Sequence, residues 1–444
     1  MNELLKKYLS GKRILILGFG REGRSTYRYL KTHFPKIEPA IADQNPALDL
    51  SEVSNDHPEL FLGREYLQAL DAFDVVFKSP GIDFNGKLRQ MNKIKILTQS
   101  GLFLERYRDQ IIGITGTKGK STTSSLIHHI LGEAGKNPVL VGNIGLPPFD
   151  HISRISAHSP VVFELSAHQL EHAHHSPHIA ILLNIFQEHL DYFGSLAAYT
   201  EAKLRIARFQ QPSDFLISGP EIPALEQPLN TALRGTIIPV ETEAGMVIFE
   251  TKDLGKTIIR IDTGSLAGMH NRQNIAAAAI ASALAGIPGE MIEAGIQSFT
   301  PLEHRMEFVG TFGGIRFYND SISTIPESTI RAVESIAGVE TLILGGHDRG
   351  IAYDGLAAFL AKSKVMNLIV TGPAGNRIRE LLEPLRQPEQ KIFSIRSFEE
   401  LPAILKQHAR VGSACLLSPA ASSYDRFRNF EERGAAFKKI AGTL

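Results

Sequence analysis

Short apolar runs rich in β-branched residues alternate with longer stretches of helical periodicity along almost the whole of this 444-residue chain. That alternation is the tightest constraint on its fold. Runs such as RILILG (13–18), VVFKS (75–79), IIGITG (111–116), PVLVG (138–142), VVFEL (161–165), AILLNI (180–185), TLILGG (341–346), LIVTG (368–372) and CLLSP (415–419) offer almost no polar face to water. Strands of this kind need cover on both sides, and the helices between them supply it. The pattern predicts an α/β protein built on parallel sheets. The length exceeds what one core serves, so two to four domains are expected. No fixed-period repeat or low-complexity linker marks their limits.

Composition narrows the function classes. Hydrophobic residues make up 43% and charged residues 21%, which fits packed globular domains and excludes global disorder. Lys+Arg (47) and Asp+Glu (47) cancel, so no overall field draws the chain to nucleic acid or an anionic membrane. The lone Cys415 excludes an internal disulfide scaffold and a thiolate zinc cluster. No apolar stretch reaches the ~18 residues of a membrane span, and the start MNELLKKYLSGKR has no signal-peptide core. A cytoplasmic monomer acting on small molecules is expected, with no nucleic-acid or membrane partner.

Two glycine-rich loops, each between a strand and a helix, suggest two nucleotide-type sites. With the polar segment PLEHRMEF ahead of a third strand series, they set domain limits near 100 and 303: 1–100, 101–303 and 304–444. Gly18-Phe19-Gly20-Arg21-Glu22-Gly23 follows RILIL, and Asp43 lies twenty residues beyond Gly23. Such glycines let a backbone approach a diphosphate, and the acid can take a ribose or base donor. This loop alone leaves open a nicotinamide or flavin cofactor, another nucleotide diphosphate, and a structural turn.

Gly113-Ile114-Thr115-Gly116-Thr117-Lys118-Gly119-Lys120-Ser121-Thr122 is more specific and points to ATP. The amides of Gly116 to Gly119 can cradle phosphates, Lys120 can reach the terminal one, and Ser121 or Thr122 can ligate Mg²⁺. Five residues rather than four separate Gly113 from Gly119, a departure from the usual phosphate loop. Glu164 sits inside the apolar run VVFEL, where an unpartnered carboxylate would cost several kcal/mol, so it is expected to face a cation or donors. Glu188-His189-Leu190-Asp191 follows AILLNI, and Lys203 lies twelve residues further on. With Glu164 they suggest a Mg²⁺ site. His168, His172, His174, His175 and His178 are expected on a solvated helix face, because no carboxylate-water arrangement at matching spacing supports zinc.

The ordered set GITGTKGKSTT, GNIGLP (142–147), FELSAHQLE (163–171), EHLD (188–191), AKLRI (202–206), HNRQN (270–274), EHR (303–305), NDS (319–321) and LLSPAASSYDRFRNFEERG (416–434) resembles the Mur ligase family over essentially the whole chain. The resemblance implies three domains: a Rossmann-like first domain for the uridine diphosphate part of a substrate, a central ATP and Mg²⁺ domain with a P-loop-like parallel sheet, and a Rossmann-like third domain for an amino acid. It implies ATP-dependent amide formation through an acyl phosphate, with UDP-N-acetylmuramoyl-L-alanine and glutamate as substrates. Gly18, Gly20, Gly23, Asp43, Ser79, Pro80, Gly81 and Asn143 then become candidates for the nucleotide substrate. Ser121, Glu164, His189 and Lys203 fall on metal positions, with Lys203 as a carbamate, and Lys120, His189 and Lys203 are the catalytic candidates. Asn271, Arg305 and Asp320 fall on ATP positions, and Arg349, Ser423 and Phe430 on glutamate positions.

Three segments depart from the family pattern. Asn319-Asp320-Ser321-Ile322-Ser323-Thr324-Ile325 carries Ile322 in place of a lysine, Gly345-Gly346-His347-Asp348-Arg349 offers Arg349 where the family has a lysine, and the metal loop reads Gln187-Glu188-His189. D-glutamate is the expected acceptor, with L-glutamate as the alternative. A folylpolyglutamate synthase would begin close to its phosphate loop, whereas about a hundred residues precede Gly113 here. A dehydrogenase would leave Lys120 and the 164–203 constellation without a purpose.

Overall fold

The computed structural model describes residues 1–84, 94–142, 147–186, 189–220, 222, 233–261, 269–300 and 303–444. They form two compact units, Met1–Thr300 and Pro301–Leu444.

The first unit holds two parallel sheets. β1 (Ile14–Leu17), β2 (Ala40–Asp43), β3 (Leu60–Leu62), β4 (Val75–Lys78) and β5 (Lys95–Leu97) lie in the order β3-β2-β1-β4-β5, every pair parallel. The chain reverses its direction of growth between β1 and β4, and a ligand crevice opens outside the carboxyl ends of strands at such a point. The register Leu17↔Lys78 sets Gly18 beside Ser79, and the Ser79 Oγ donates to the Gly18 carbonyl at 2.8 Å. Helix Arg21–His33 starts so close to β1 that a Cβ on Gly23 would stand 2.0 Å from the Gly18 oxygen. The third glycine is therefore needed for helix-to-strand packing.

The second sheet joins β6 (Ile111–Thr115), β7 (Val139–Gly142), β8 (Val161–Glu164), β9 (Ile179–Leu182), β10 (Phe215–Ser218) and β11 (Thr236–Pro239) in the order β11-β10-β9-β6-β8-β7, again all parallel. β6, β8 and β9 are buried along their whole length, as continuous apolar runs in a covered sheet must be. Helix Lys120–Glu133 packs on helix Met269–Leu284, in which Ile275 to Ala281 are all fully buried. A helix segment apolar on every side has to be enclosed, and here the sheet and an antiparallel meander complete the cover. That meander, β12 (Thr242–Glu243), β13 (Met246–Thr251) and β14 (Gly255–Arg260), was not foreseen from the sequence.

The second unit carries β15 (Glu307–Phe312), β16 (Ile315–Asn319), β17 (Val339–Gly345), β18 (Asn367–Thr371), β19 (Lys391–Ile395) and β20 (Ala414–Leu417), ordered β15-β16-β20-β17-β18-β19. β15 is an antiparallel edge strand, and the remaining pairs are parallel. The chain crosses back between β16 and β17 to lay down β20. The segments after β16, β17 and β20 therefore meet at one end of this sheet.

Candidate active site

In the first unit, the second sheet reverses direction around β6, and three chain segments meet outside the carboxyl ends of β6, β8 and β9. The loop after β6 is clamped by Asn184, just past β9. Asn184 accepts from the Thr117 amide on its carbonyl (3.0 Å) and from the Lys118 amide on its Oδ1 (2.8 Å), and its Nδ2 donates to the Lys118 carbonyl (3.1 Å). The Thr117 Oγ1 accepts from the Phe186 amide at 2.9 Å and lies 3.2 Å from the Tyr199 hydroxyl. The Thr117 and Lys118 amides are thus spent on Asn184, which fixes the path of the loop ahead of the helix that begins at Lys120.

Lys120 opens the following helix, and its Nζ donates to the carbonyls of Gly116 (2.8 Å) and Thr117 (3.0 Å). Lys203, on helix Leu196–Arg208, reaches the same loop from below: its Nζ donates to the Gly116 carbonyl at 2.8 Å, 3.5 Å from the Thr115 Oγ1 and over the Tyr199 ring. The residue is only 1% exposed. Burial, with the Lys120 ammonium nearby, holds its amine well below the usual lysine range. Glu164, also 1% exposed, ends β8 and accepts from the Ser124 Oγ at 3.4 Å. Ser121 is buried in the first helical turn, and Thr122 is half-buried beside it. The structure thus brings Gly116 to Thr122, Glu164 and Lys203 together at one sheet end.

His189 opens the short helix Leu190–Phe193, with a backbone φ of 55° in the left-handed region; its carbonyl accepts from the amides of Tyr192 and Phe193. Its ring faces His168 at 5.0 Å between centroids and Tyr199 at 6.2 Å. The expectation of a solvated helix face for the five histidines is corrected at this point. The helix there ends at Leu170, so His168 and His172 do not share a face. His168 packs on Tyr192 and Phe193, and His178 holds Asp214 at 2.8 Å. Burial and the Lys78 charge push His172 down to about 3, which keeps it neutral. Among the described residues, no three His, Cys, Asp or Glu side chains gather as a metal cage. A Mg²⁺ ion that takes phosphate and water oxygens does not require one. Gln187, Glu188 and Asn143 lie outside the described residues.

At the first loop, Asp43 uses its carboxylate on the chain itself: Oδ2 accepts from the Phe19 amide and Oδ1 from the Asn45 amide. Gly18, Gly20, Gly23, Ser79, Pro80 and Gly81 line the two adjacent loops described above. Asn271, in helix Met269–Leu284, takes a bond from Asn274 at 3.3 Å.

In the second unit, Asp320 is buried after β16, accepting from the Ser418 Oγ (2.7 Å) and the Met306 amide (3.2 Å); burial raises it to about 6. The Arg305 charge acts in the opposite direction on this carboxyl. Arg433 is buried at the core of this region, donating to the Ser321 Oγ and carbonyl and to the Ala421 carbonyl. Ser423 is buried, and its carbonyl accepts from the Arg426 and Phe427 amides. Phe430 opens the last helix under an Asn429 cap, 6.0 Å from the His304 ring. Arg349 is exposed and donates to the Thr324 carbonyl at 2.8 Å. Asn184, Tyr199 and Arg433 escaped the sequence reading. Asn184 could have been found, as a polar residue just past a strand in the same sheet as the phosphate loop.

Two family models match the chain, the Mur ligase middle domain over residues 114–282 and the Mur ligase, glutamate ligase domain over 304–421. Curated relatives include proteins of Symbiobacterium thermophilum (32% identical, 98% of both chains) and Pelotomaculum thermopropionicum (32% identical, 99% of both), each named UDP-N-acetylmuramoylalanine--D-glutamate ligase. Among solved structures, the MurF ligase of Thermotoga maritima in complex with ADP superposes with a TM-score of 0.53 at 15% identity, covering 97% of this chain and 95% of that one. The UDP-N-acetylmuramate-alanine ligase of the same organism gives 0.51 at 16%, covering 97% and 99%. These two show a shared fold. With full-length relatives above 30% identity and both family models in chain order, the protein belongs to the Mur ligase family.

Proposed function

We propose that the chain adds D-glutamate to UDP-N-acetylmuramoyl-L-alanine at the expense of ATP, a cytoplasmic step of peptidoglycan precursor synthesis, with functional regions at 1–100, 101–303 and 304–444. The observation that carries this reading is the likeness, over 98% of both chains, to a ligase named for that reaction. The phosphate loop supplies the chemistry it needs. The alanyl carboxylate attacks the γ-phosphorus, ADP leaves, and an acyl phosphate forms. The glutamate amine then attacks the acyl carbon, phosphate leaves, and the amine gives up a proton.

Lys120 exchanges its bonds to Gly116 and Thr117 for the transferring phosphoryl group, where a fixed cation is worth most. Glu164 and Ser121 offer the oxygen donors that Mg²⁺ takes, and His189 stands on the turn that the family pattern assigns to the metal. When bound, the ion supplies neutralisation of phosphate charge. Lys203 is buried as an amine against Gly116; addition of CO₂ would make it an anionic oxygen donor for the same ion. Asn271, Arg305 and Asp320 serve ATP, and Arg349, Ser423 and Phe430 serve glutamate.

One observation favours a second acceptor. Ile322 cannot pair with a carboxylate, and Arg349 presents a planar fork where the family pattern has a point charge, which changes the contact geometry open to a glutamate side chain. Phosphate release measured with UDP-N-acetylmuramoyl-L-alanine, ATP and either enantiomer decides between them. D-glutamate is expected to be preferred at least tenfold. A tenfold preference for L-glutamate changes the acceptor, and release with neither rejects the proposal.

A further inference from the structure

Lys78 ends β4 with its side chain 1% exposed, which is costly for an ammonium at a strand end where an apolar side chain would pack. Its Nζ stands 3.7 Å from Glu171 Oε2 and over the Phe84 ring, and it has no hydrogen-bond partner among the described residues. The same Glu171 Oε2 accepts from the Tyr192 hydroxyl at 2.9 Å, and that hydroxyl is 3.1 Å from the Ile82 carbonyl. The Glu171 carboxylate thus joins its own segment after β8 to the end of β4 and to the short helix after β9, and the Tyr192 hydroxyl adds the loop after β4.

Both ends of this chain of contacts reach a site. Lys78 directly precedes Ser79, whose hydroxyl holds Gly18. Tyr192 belongs to the single helical turn capped by the His189 carbonyl, and its ring meets His168 edge-on, as His168 in turn meets His189. His189 has a positive φ, a conformation that a non-glycine residue keeps only where its surroundings impose it. A second tether runs parallel to the first: Gln169, two residues before Glu171, donates to Glu22 Oε1 at 3.1 Å in the first glycine loop.

We propose that Lys78, Glu171 and Tyr192 act as one positioning relay that holds the His189 turn in register with the loop after β4. The inference rests on the reading of His189 as a metal-loop residue. None of the three needs to touch the reacting atoms; each acts through the turn it holds. A relay of this kind sets how much Mg²⁺ the ATP site requires, whereas a merely structural role would lower thermal stability and weaken the site at every Mg²⁺ concentration alike.

The test is binding of a non-hydrolysable ATP analogue to the full chain during a Mg²⁺ titration, with the melting temperature recorded for each protein. Tyr192→Phe keeps the ring and removes the bridging hydroxyl, and Lys78→Met keeps most of the volume and removes the charge. Each is expected to raise the Mg²⁺ concentration for half-maximal binding at least fivefold. The double variant should go no more than twofold beyond the larger single effect, because members of one relay are not additive. A Mg²⁺ requirement within twofold of the parent in Tyr192→Phe overturns the proposal, as do additive effects in the double variant. Should Lys78→Met fail to fold, Tyr192→Phe decides. A parent chain with no Mg²⁺-dependent analogue binding rejects the underlying reading and the relay with it, an outcome distinct from an unshifted variant.

Discussion

Two buried ionisable side chains have pH or ligand consequences that can be worked out residue by residue. Among the described residues Lys203 makes hydrogen bonds to Thr115 and Gly116, and its environment favours the neutral amine that reacts with CO₂. Lys203→Ala is expected to be inactive and to regain part of its activity when a short carboxylic acid in the buffer replaces the missing anionic oxygen; parent-like activity without additive would reject the carbamate. Asp320 concerns stability. Burial lifts its carboxyl from an ordinary 3.8 to about 6, so between those values the folded chain holds a proton that the unfolded chain has lost. Folding stability therefore falls as pH rises through that window and stays lower above it, by on the order of 1–3 kcal/mol. Asp320→Asn can still accept from the Met306 amide and can donate to Ser418, without the ionisable charge. Its melting temperature relative to the parent should be higher at pH 7.5 than at pH 5. An equal difference at the two values would show that the Asp320 charge does not limit stability.

At the scale of elements, the close pairing of helices Lys120–Glu133 and Met269–Leu284 turns on Gly119. Its φ is +85°, and a Cβ there would stand 2.2 Å from the Asn274 Oδ1. Gly119→Ala costs ~1–2 kcal/mol if it keeps the left-handed conformation, and its Cβ must displace the Asn274 side chain at the start of the proposed phosphate helix. ATP-analogue affinity is expected to fall at least tenfold while most secondary structure persists by circular dichroism; parent-like affinity would mean the loop is not the phosphate cradle. This loop was legible in the sequence because its residue types have few other uses between an apolar strand and a helix. The strands were legible for a similar reason, since runs such as Ile111–Thr115 and Val161–Glu164 are apolar on both faces. The meander β12–β14 was not, because its alternating, partly exposed residues resemble a polar connection until paired. The histidines misled because spacing along the chain implies a common face only if the helix continues, and Leu170 ends it. Lys78 gave no signal at all: only the fold shows that a lysine closing an apolar run is buried against a carboxylate from the segment that follows helix Ala167–Leu170.

For the whole molecule, the chemistry requires that no single region turn over ATP alone. In the proposed reaction the phosphoryl acceptor is a carboxylate on the nucleotide substrate; the proposed phosphate loop belongs to the unit Met1–Thr300, and the proposed glutamate positions belong to the unit Pro301–Leu444. A free-standing ATPase would need a water held in line with the γ-phosphate, whereas a ligase has to keep water away from the acyl phosphate. The two designs separate when glutamate is withheld. With ATP, Mg²⁺ and UDP-N-acetylmuramoyl-L-alanine but no amino acid, phosphate release should be slow, because the acyl phosphate has no amine to meet. Hydroxylamine is small and nucleophilic enough to stand in for the amine. It should restore steady phosphate release and leave the hydroxamate of the nucleotide substrate, identifiable by mass. Omitting the nucleotide should abolish release with or without hydroxylamine, since no carboxylate is then present to accept the phosphoryl group. Brisk release from ATP alone, or hydroxylamine-dependent release without a hydroxamate, would place the bond-forming carboxylate elsewhere and reject the acyl-phosphate route.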